Sequence, residues 1–359
     1  MQSKTSFFNR TLFRKNLTRF WPLWGGASFV GALFPLALLL TSLQRHQYPT
    51  VLNFTEMYYG TLSVAVPILS LFYAILCAMA VWGFLYNARS ISMMHSLPIR
   101  REGVFCTTFL SGMSMMLIPY AVVGALCFLI SLSFGALDPA AFVVTALGVA
   151  GESLFYFASA TFTALVVGNI FALPAVYFLL HFLAAILEWL IAMLAQGFLF
   201  GVTGSYETVA AWLSPTLALE RHVSVANSYT EQLVEEPGME PYTDHILTAV
   251  QLEKGWVIGV YVLVGAVLLV LAWLLYRRRH SETAGDVVAA GWLRPVFRYG
   301  LAALAALLGG MALYELLWQS FQYDQYYQAL PMAVCMILAG AIGYYAASML
   351  LAKSLRVFR

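Results

Sequence analysis

Eight stretches of this sequence are apolar over lengths that suit a membrane. They are roughly Trp21–Ser42, Thr61–Tyr86, Val104–Phe134, Ala140–Gly168, Phe171–Phe200, Trp256–Tyr276, Tyr299–Trp318 and Gln328–Ala352. A helix needs about 20 predominantly apolar residues to cross the hydrocarbon core. In lipid each segment must pair its own backbone N–H and C=O groups, so runs of this length are helices. The rest of the chain agrees. Hydrophobic residues make up 61% of it and charged residues 10%, whereas soluble domains carry about 25% charged residues. The expected fold class is an all-α polytopic membrane protein of about eight spans.

The positive charges are sorted by loop. One alternate set of loops holds Lys4, Arg10, Arg14, Lys15, Arg19, Arg89, Arg100, Arg101, Arg277, Arg278, Arg279, Arg294, Arg298, Lys353, Arg356 and Arg359. The other set holds Arg45, Arg221 and Lys254. Sixteen against three, out of the nineteen in the chain, is the positive-inside pattern, and it predicts that both termini are cytoplasmic. The basic stretches therefore read as topology signals and lipid-headgroup contacts rather than a nucleic-acid surface. The first apolar run is long enough to span and is expected to stay as the first helix rather than be cleaved.

Only Gly168, Asn169 and Ile170 separate the fourth and fifth runs. Gly and Asn both tolerate a left-handed backbone, so a tight helical hairpin is expected there. A single bent helix would invert every later loop and spoil the charge sorting. Trp21, Trp24, Trp82, Tyr86, Trp256, Tyr276, Trp318, Tyr326 and Tyr327 lie near run ends and read as an interfacial aromatic belt. Cys77, Cys106, Cys127 and Cys335 lie in or beside apolar runs, without zinc spacing, and read as free packed thiols. No internal repeat supports an inverted-repeat carrier.

Four segments outside the spans carry information. In Lys4–Phe20, Phe8, Leu12, Phe13, Leu17 and Phe20 form one helical stripe, with Arg10, Arg14 and Arg19 on or beside the other face. That suits a helix lying in the cytoplasmic interface. Asn87–Gly103 offers about two turns of helix with Ile91, Met94 and Leu97 near one face. Pro98 then forces a corner before Arg100, Arg101 and Glu102 open the next span. The external Gly201–Gly255 reads as a solvated loop with a little helix and turns at Pro237-Gly238 and Pro241. Its length marks it as a candidate lid. The fourth is Arg277–Arg298, where three arginines stop the sixth span.

Searches for chemistry return little. There is no HExxH, no GxSxG and no GxxxxGK[ST], so this chain lacks the phosphate-binding loop of an ATPase. No enzyme activity and no cofactor or metal of its own are expected. Glu152, Glu188 and Glu315 fall within spans, and His181 is the histidine clearly inside one. An ionised side chain at mid-bilayer costs about 2.5–3.5 kcal/mol on insertion scales, so each needs a partner or a wet cavity. Polar contact between helices is the plainer reading, and Glu152, His181 and Glu188 are the candidate transport residues. Glu188 stands two turns from His181, which places a proton relay among the alternatives.

MMHSLPIRREGVF (Met93–Phe105), LVVGN (Leu165–Asn169), LSP (Leu213–Pro215) and RRRHSETAG (Arg277–Gly285) together resemble the permease subunits of bacterial ABC-2-type ABC transporters, in a branch common in Gram-positive bacteria. The resemblance covers most of the chain. It implies a type V exporter-like core of six helices (residues 21–276) preceded by an interfacial helix (1–20); the basic loop (277–298) and two further spans (299–359) that follow go beyond the six-span core, so the chain departs there from the minimal pattern. It implies a separate ATP-binding subunit, carrying ATP and Mg, docked on a coupling helix at residues 89–102. Ile91, Met94, His95, Leu97, Pro98, Arg100, Arg101 and Glu102 would make that contact, with Ile91, Met94 and Leu97 in the ATPase cleft. It also implies a second permease chain, identical or related, in the cell membrane. The alternatives are a proton- or ion-coupled secondary transporter using the intramembrane carboxylates and a non-transporting sensor or assembly subunit.

Overall fold

The computed structural model describes residues 7–45, 49–96, 99–199, 209–234, 242–278, 291, 293–318, 329–352, 354 and 357. Eight helices are long and apolar enough to cross a membrane: Trp21–Gln44, Val51–Tyr86, Arg101–Ser133, Pro139–Val166, Ala172–Gln196, Trp256–Arg278, Arg294–Leu317 and Leu330–Ala352. Each overlaps one of the eight apolar runs, the second beginning earlier, at Val51 instead of Thr61. The chain is a multi-pass, mainly helical membrane protein. Its surface is built for lipid: large apolar side chains such as Phe29, 71% exposed, face outward.

In chain order the helices are α1 (Arg10–Arg19), α2 (Trp21–Arg45), α3 (Val51–Gly60), α4 (Val66–Trp82), α5 (Ala88–His95), α6 (Arg101–Ser133), α7 (Pro139–Val166), α8 (Ala172–Phe198), α9 (Pro215–His222), α10 (Trp256–Arg278), α11 (Leu293–Leu304), α12 (Gly310–Trp318) and α13 (Ala329–Ala352). A π-helical turn, Thr61–Ala65, joins α3 to α4. A second, Ala305–Gly309, joins α11 to α12. Gly168–Ile170 forms the expected turn between α7 and α8.

The segment between α8 and α10 departs from expectation. It is not a loop with a little helix: α9 leads into an antiparallel hairpin of β1 (Ser224–Val234) and β2 (Tyr242–Glu253). The register shifts at Ser228/Tyr229, the mark of a bulge. The strands pack on α3, where the Asn227 amide donates to Glu56 Oε1. The Pro237-Gly238 turn lies outside the described residues.

The chain forms two compact units that do not follow chain order. The first comprises Met1–Phe84, Met93–Ala164 and Thr216–Arg278, and the second Leu85–Ser92, Leu165–Pro215 and Arg279–Arg359.

In the first unit α7 is buried on all sides from Phe155 to Ala160. Its neighbours approach through glycines. A Cβ on Gly148 would stand 2.6 Å from the Leu62 side chain, one on Gly151 2.8 Å from Val262, and one on Gly265 2.9 Å from the Phe155 Cα atom. A Cβ on Gly112 of α6 would collide with the Phe157 ring. Asp138 caps α7, accepting from the N–H groups of Ala140 and Ala141 at 3.0 and 3.2 Å. Beside it, Phe54, Tyr58, Cys127, Ala136 and Ala141 form one apolar cluster.

In the second unit α11 and α12 form a close pair with α13. A Cβ on Gly340 would stand 3.0 Å from Ala306, and a Cβ on Gly343 would overlap Ala305. Small residues let membrane helices approach in this way. Met311, Tyr314, Met332 and Cys335 make the core of this unit, with Met193 and Leu194 of α8 against it. Cys77, Cys127 and Cys335 are buried free thiols and Cys106 is a half-buried one, as the sequence reading expected.

Candidate functional site

Two places concentrate polar or exposed groups that packing alone does not require. The first is the corner between α4 and α6. Asn87 starts α5: its Oδ1 accepts from the Arg89 N–H at 3.0 Å and its C=O from the Ile91 N–H at 3.0 Å. The short helix expected within Asn87–Gly103 is therefore present, as Ala88–His95.

Its faces differ in part from expectation. Ile91 is only 2% exposed, whereas Met93 is 63% exposed. Met94 is half-buried. The exposed large apolar side chain of α5 is thus Met93, whereas Ile91, expected to face a partner, is covered by its own chain. Leu97 and Pro98 lie outside the described residues, as does the His95 side chain. Arg100 and Arg101 are exposed. Glu102 is engaged within the chain, its Oε1 3.6 Å from Arg277 Nε.

The helix ends behind this corner are tied together. Trp82 of α4, Phe105 of α6 and Tyr276 of α10 form a triangle with ring centroids 5.5 to 6.0 Å apart. Trp82 Nε1 donates to Thr161 Oγ1 at 3.2 Å. Trp82 and Tyr276 are buried, so these two do not join the interfacial belt, whereas Trp21 and Trp256 are exposed as a belt requires. Trp at a run end signals an interface only when no neighbouring helix claims it. The contact partners, Phe105 and Tyr276, are too far apart in sequence for periodicity to pair them.

The N-terminal helix adjoins the same region. Leu12, Phe13, Leu17 and Phe20 are half-buried, and Arg10, Arg14, Lys15 and Arg19 are exposed. The amphipathic division expected from sequence is present from Leu12 to Phe20, whereas Phe8 of the expected stripe is exposed. What the stripe did not show is polar docking: the Asn9 N–H donates to Thr107 Oγ1 and the Asn16 amide to Ser111 Oγ, both at 3.0 Å.

The second place is inside the first unit. Glu152, at the middle of α7, is 1% exposed. Neither carboxyl oxygen has a hydrogen-bond partner among the described residues. The Tyr120 and Tyr156 phenols lie within its electrostatic range, and Tyr156 lies within that of Tyr261. Tyr120 OH is 2.7 Å from Ser70 Oγ, and Tyr156 OH donates to Thr216 Oγ1 at 3.4 Å. Thr145 Oγ1 and Ser153 Oγ on the same helix are also buried without a partner among the described residues.

No family profile matches this chain, and no curated protein or solved structure matches it significantly. Function therefore rests on the geometry of these sites.

The other candidates belong to the second unit. His181 is fully buried and meets the Tyr177 ring edge-on at 4.5 Å. Glu188 is half-buried on α8. Glu315 is exposed on α12, where a carboxylate can reach the headgroup layer.

Proposed function

We propose that this protein is the membrane permease subunit of an ABC-type exporter, moved by a separate ATP-binding subunit that docks on the α4–α6 corner. The observation that carries the reading is α5, a short capped helix set between two spans and presenting Met93 outward. An exposed methionine suits a cleft in a partner, since its side chain adapts to irregular surfaces.

The aromatic triangle supports a transmitting role. A push on α5 bears on the start of α6, and Phe105 is packed against both Trp82 and Tyr276. Displacement would be shared by α4, α6 and α10 rather than absorbed in a loop. Nucleotide-driven closure of the motor would in this way bias the permease between two states. The remaining parts of the proposal follow from the charge sorting and the sequence resemblance: termini and corner in the cytoplasm of a bacterium, hairpin outside, ATP and Mg on the partner, and two permease chains around the pathway.

The test is co-purification with the product of a neighbouring ATP-binding gene. Met93→Asp, together with Met94→Asp, should abolish the complex while the variant still enters the membrane and elutes as the native chain does. Full retention of the ATPase by the double variant would remove the coupling role from α5.

A second reading, an ion-coupled carrier with no ATPase, draws on Glu152. It predicts substrate accumulation driven by an ion gradient in vesicles free of ATP, which the exporter reading does not.

A further inference from the structure

An ionised carboxylate taken out of water without a partner is among the most costly groups a protein can bury. Glu152 stands halfway along a helix of 28 residues, about 20 Å from either end at 1.5 Å per residue. A side chain of its length cannot snorkel to an interface from there. Among the described residues no lysine, arginine or histidine pairs with it.

The groups around it are neutral. Tyr120 comes from α6 and Tyr156 from its own helix. Ser70 and Thr216 hold the hydroxyls of Tyr120 and Tyr156. The surroundings are also tight. Gly148 and Gly151 bracket the carboxyl on α7 and admit Leu62 and Val262, while Gly265 lets α10 lie against the Phe155 backbone one turn further on. Leu62 itself belongs to the π-helical turn Thr61–Ala65, a feature frequent at functional sites.

We propose that Glu152 is an intramembrane binding site for one monovalent cation, a proton or a sodium-sized ion, with the Tyr120 and Tyr156 phenols as its neutral neighbours. A single carboxyl with only neutral neighbours among the described residues is neutralised by one positive charge. A divalent ion would leave a net charge in the same dry place. The site does not depend on the ATPase reading, since it follows from α7 and its neighbours alone. Because α10 closes over α7 through Gly151 and Gly265, loading and release require these helices to part. Occupancy is thereby linked to conformation.

Infrared difference spectra of the purified protein at neutral pH, native minus Glu152→Gln, in sodium chloride and in choline chloride, test the proposal. An acid carbonyl band belonging to Glu152 in both salts identifies the ligand as a proton. An acid band in choline that converts to a carboxylate band in sodium identifies an alkali cation. A carboxylate band in both salts overturns the proposal, since the group is then ionised with no bound cation. Glu152→Gln preserves the shape of the protonated side chain. Should that variant fail to accumulate, dicyclohexylcarbodiimide labelling of the native chain replaces it, because this membrane-permeant reagent attacks protonated carboxyls. Labelling at Glu152 in both salts, or protection by sodium, supports the site. No labelling of Glu152 in either salt overturns it.

Discussion

The Tyr73 hydroxyl donates to the Met115 carbonyl at 2.9 Å, across from α4 to α6. That carbonyl is the one Pro119 leaves open, because Pro119 sits four residues on inside α6 and has no N–H to return. Lipid offers no substitute donor, so a break in one helix is repaired by the side chain of another. Tyr73→Phe should therefore destabilise the protein by about 1–3 kcal/mol, the usual cost of an orphaned buried acceptor. Pro119→Ala restores the helical N–H. In that background Tyr73→Phe should cost distinctly less, and thermal unfolding of the four variants in detergent reads the coupling. Equal costs in both backgrounds would show that the hydroxyl serves something other than the Met115 carbonyl.

Glu102 and Arg277 join the first turn of α6 to the last turn of α10 at 3.6 Å. Both are partly exposed, and Arg277 also lies over the Trp273 ring at 4.9 Å. Exposed pairs of this kind contribute at most about 1 kcal/mol, less in salt. Glu102→Gln should thus leave stability nearly unchanged. Under the exporter reading it should retain the ATPase subunit but lower transport per ATP hydrolysed. Loss of the complex itself would mean that Glu102 touches the motor directly.

Asn9 and Asn16 fasten α1 to Thr107 and Ser111 of α6. Asn9 is also the N-cap, its Oδ1 accepting from the Leu12 N–H at 3.0 Å. Asn9→Ala should cost about 0.5–2 kcal/mol, as lost caps do. Asn16→Ala should free α1 without unfolding the spans. Limited proteolysis near Arg14 and Lys15 checks this: cleavage should be faster in both variants, with the spans still protected. Unchanged cleavage of the Asn16 variant would show that the apolar stripe and the Asn9 N–H bond to Thr107 suffice to hold α1.

The spans were legible because a bilayer imposes one requirement, length, on a single property, hydropathy. Even the Gly168–Ile170 turn followed from local backbone preference. The hairpin is not legible: Pro237-Gly238 signals a turn, but Ser224–Val234 mixes Asn227, Ser228, Thr230 and Gln232 with few apolar residues, so no alternation marks a strand. Its support comes from α3, more than 160 residues earlier in the chain. The inward turn of Ile91 was hidden for a similar reason. Helical spacing places Ile91 and Met94 near one face, but which face the protein covers is decided by tertiary packing. Glu152 is visible in the sequence as a carboxyl in a span, while its lack of a hydrogen-bond partner among the described residues depends on which helices enclose it.

Gly265 and Gly259 lie on the same helix, α10, and separate two effects of glycine. A Cβ at Gly259 meets nothing within 4 Å. Gly259→Ala should stabilise α10 by about 0.5–1 kcal/mol through backbone entropy alone. A Cβ at Gly265 would stand 2.9 Å from the Phe155 Cα, a backbone atom that cannot swing aside. Gly265→Ala must push α10 away from α7, and overpacking of this kind costs about 1–3 kcal/mol, which outweighs the entropic gain. The expected result is opposite signs for the same substitution six residues apart, read as shifts in Tm. The separation also bears on Glu152, three residues before Phe155. Wedging the helices apart should admit water to the carboxyl and speed its hydrogen–deuterium exchange, while Gly259→Ala leaves that rate as in the native protein. Equal Tm shifts for the two variants would show that α10 does not lie as close to α7 as the glycine contacts require.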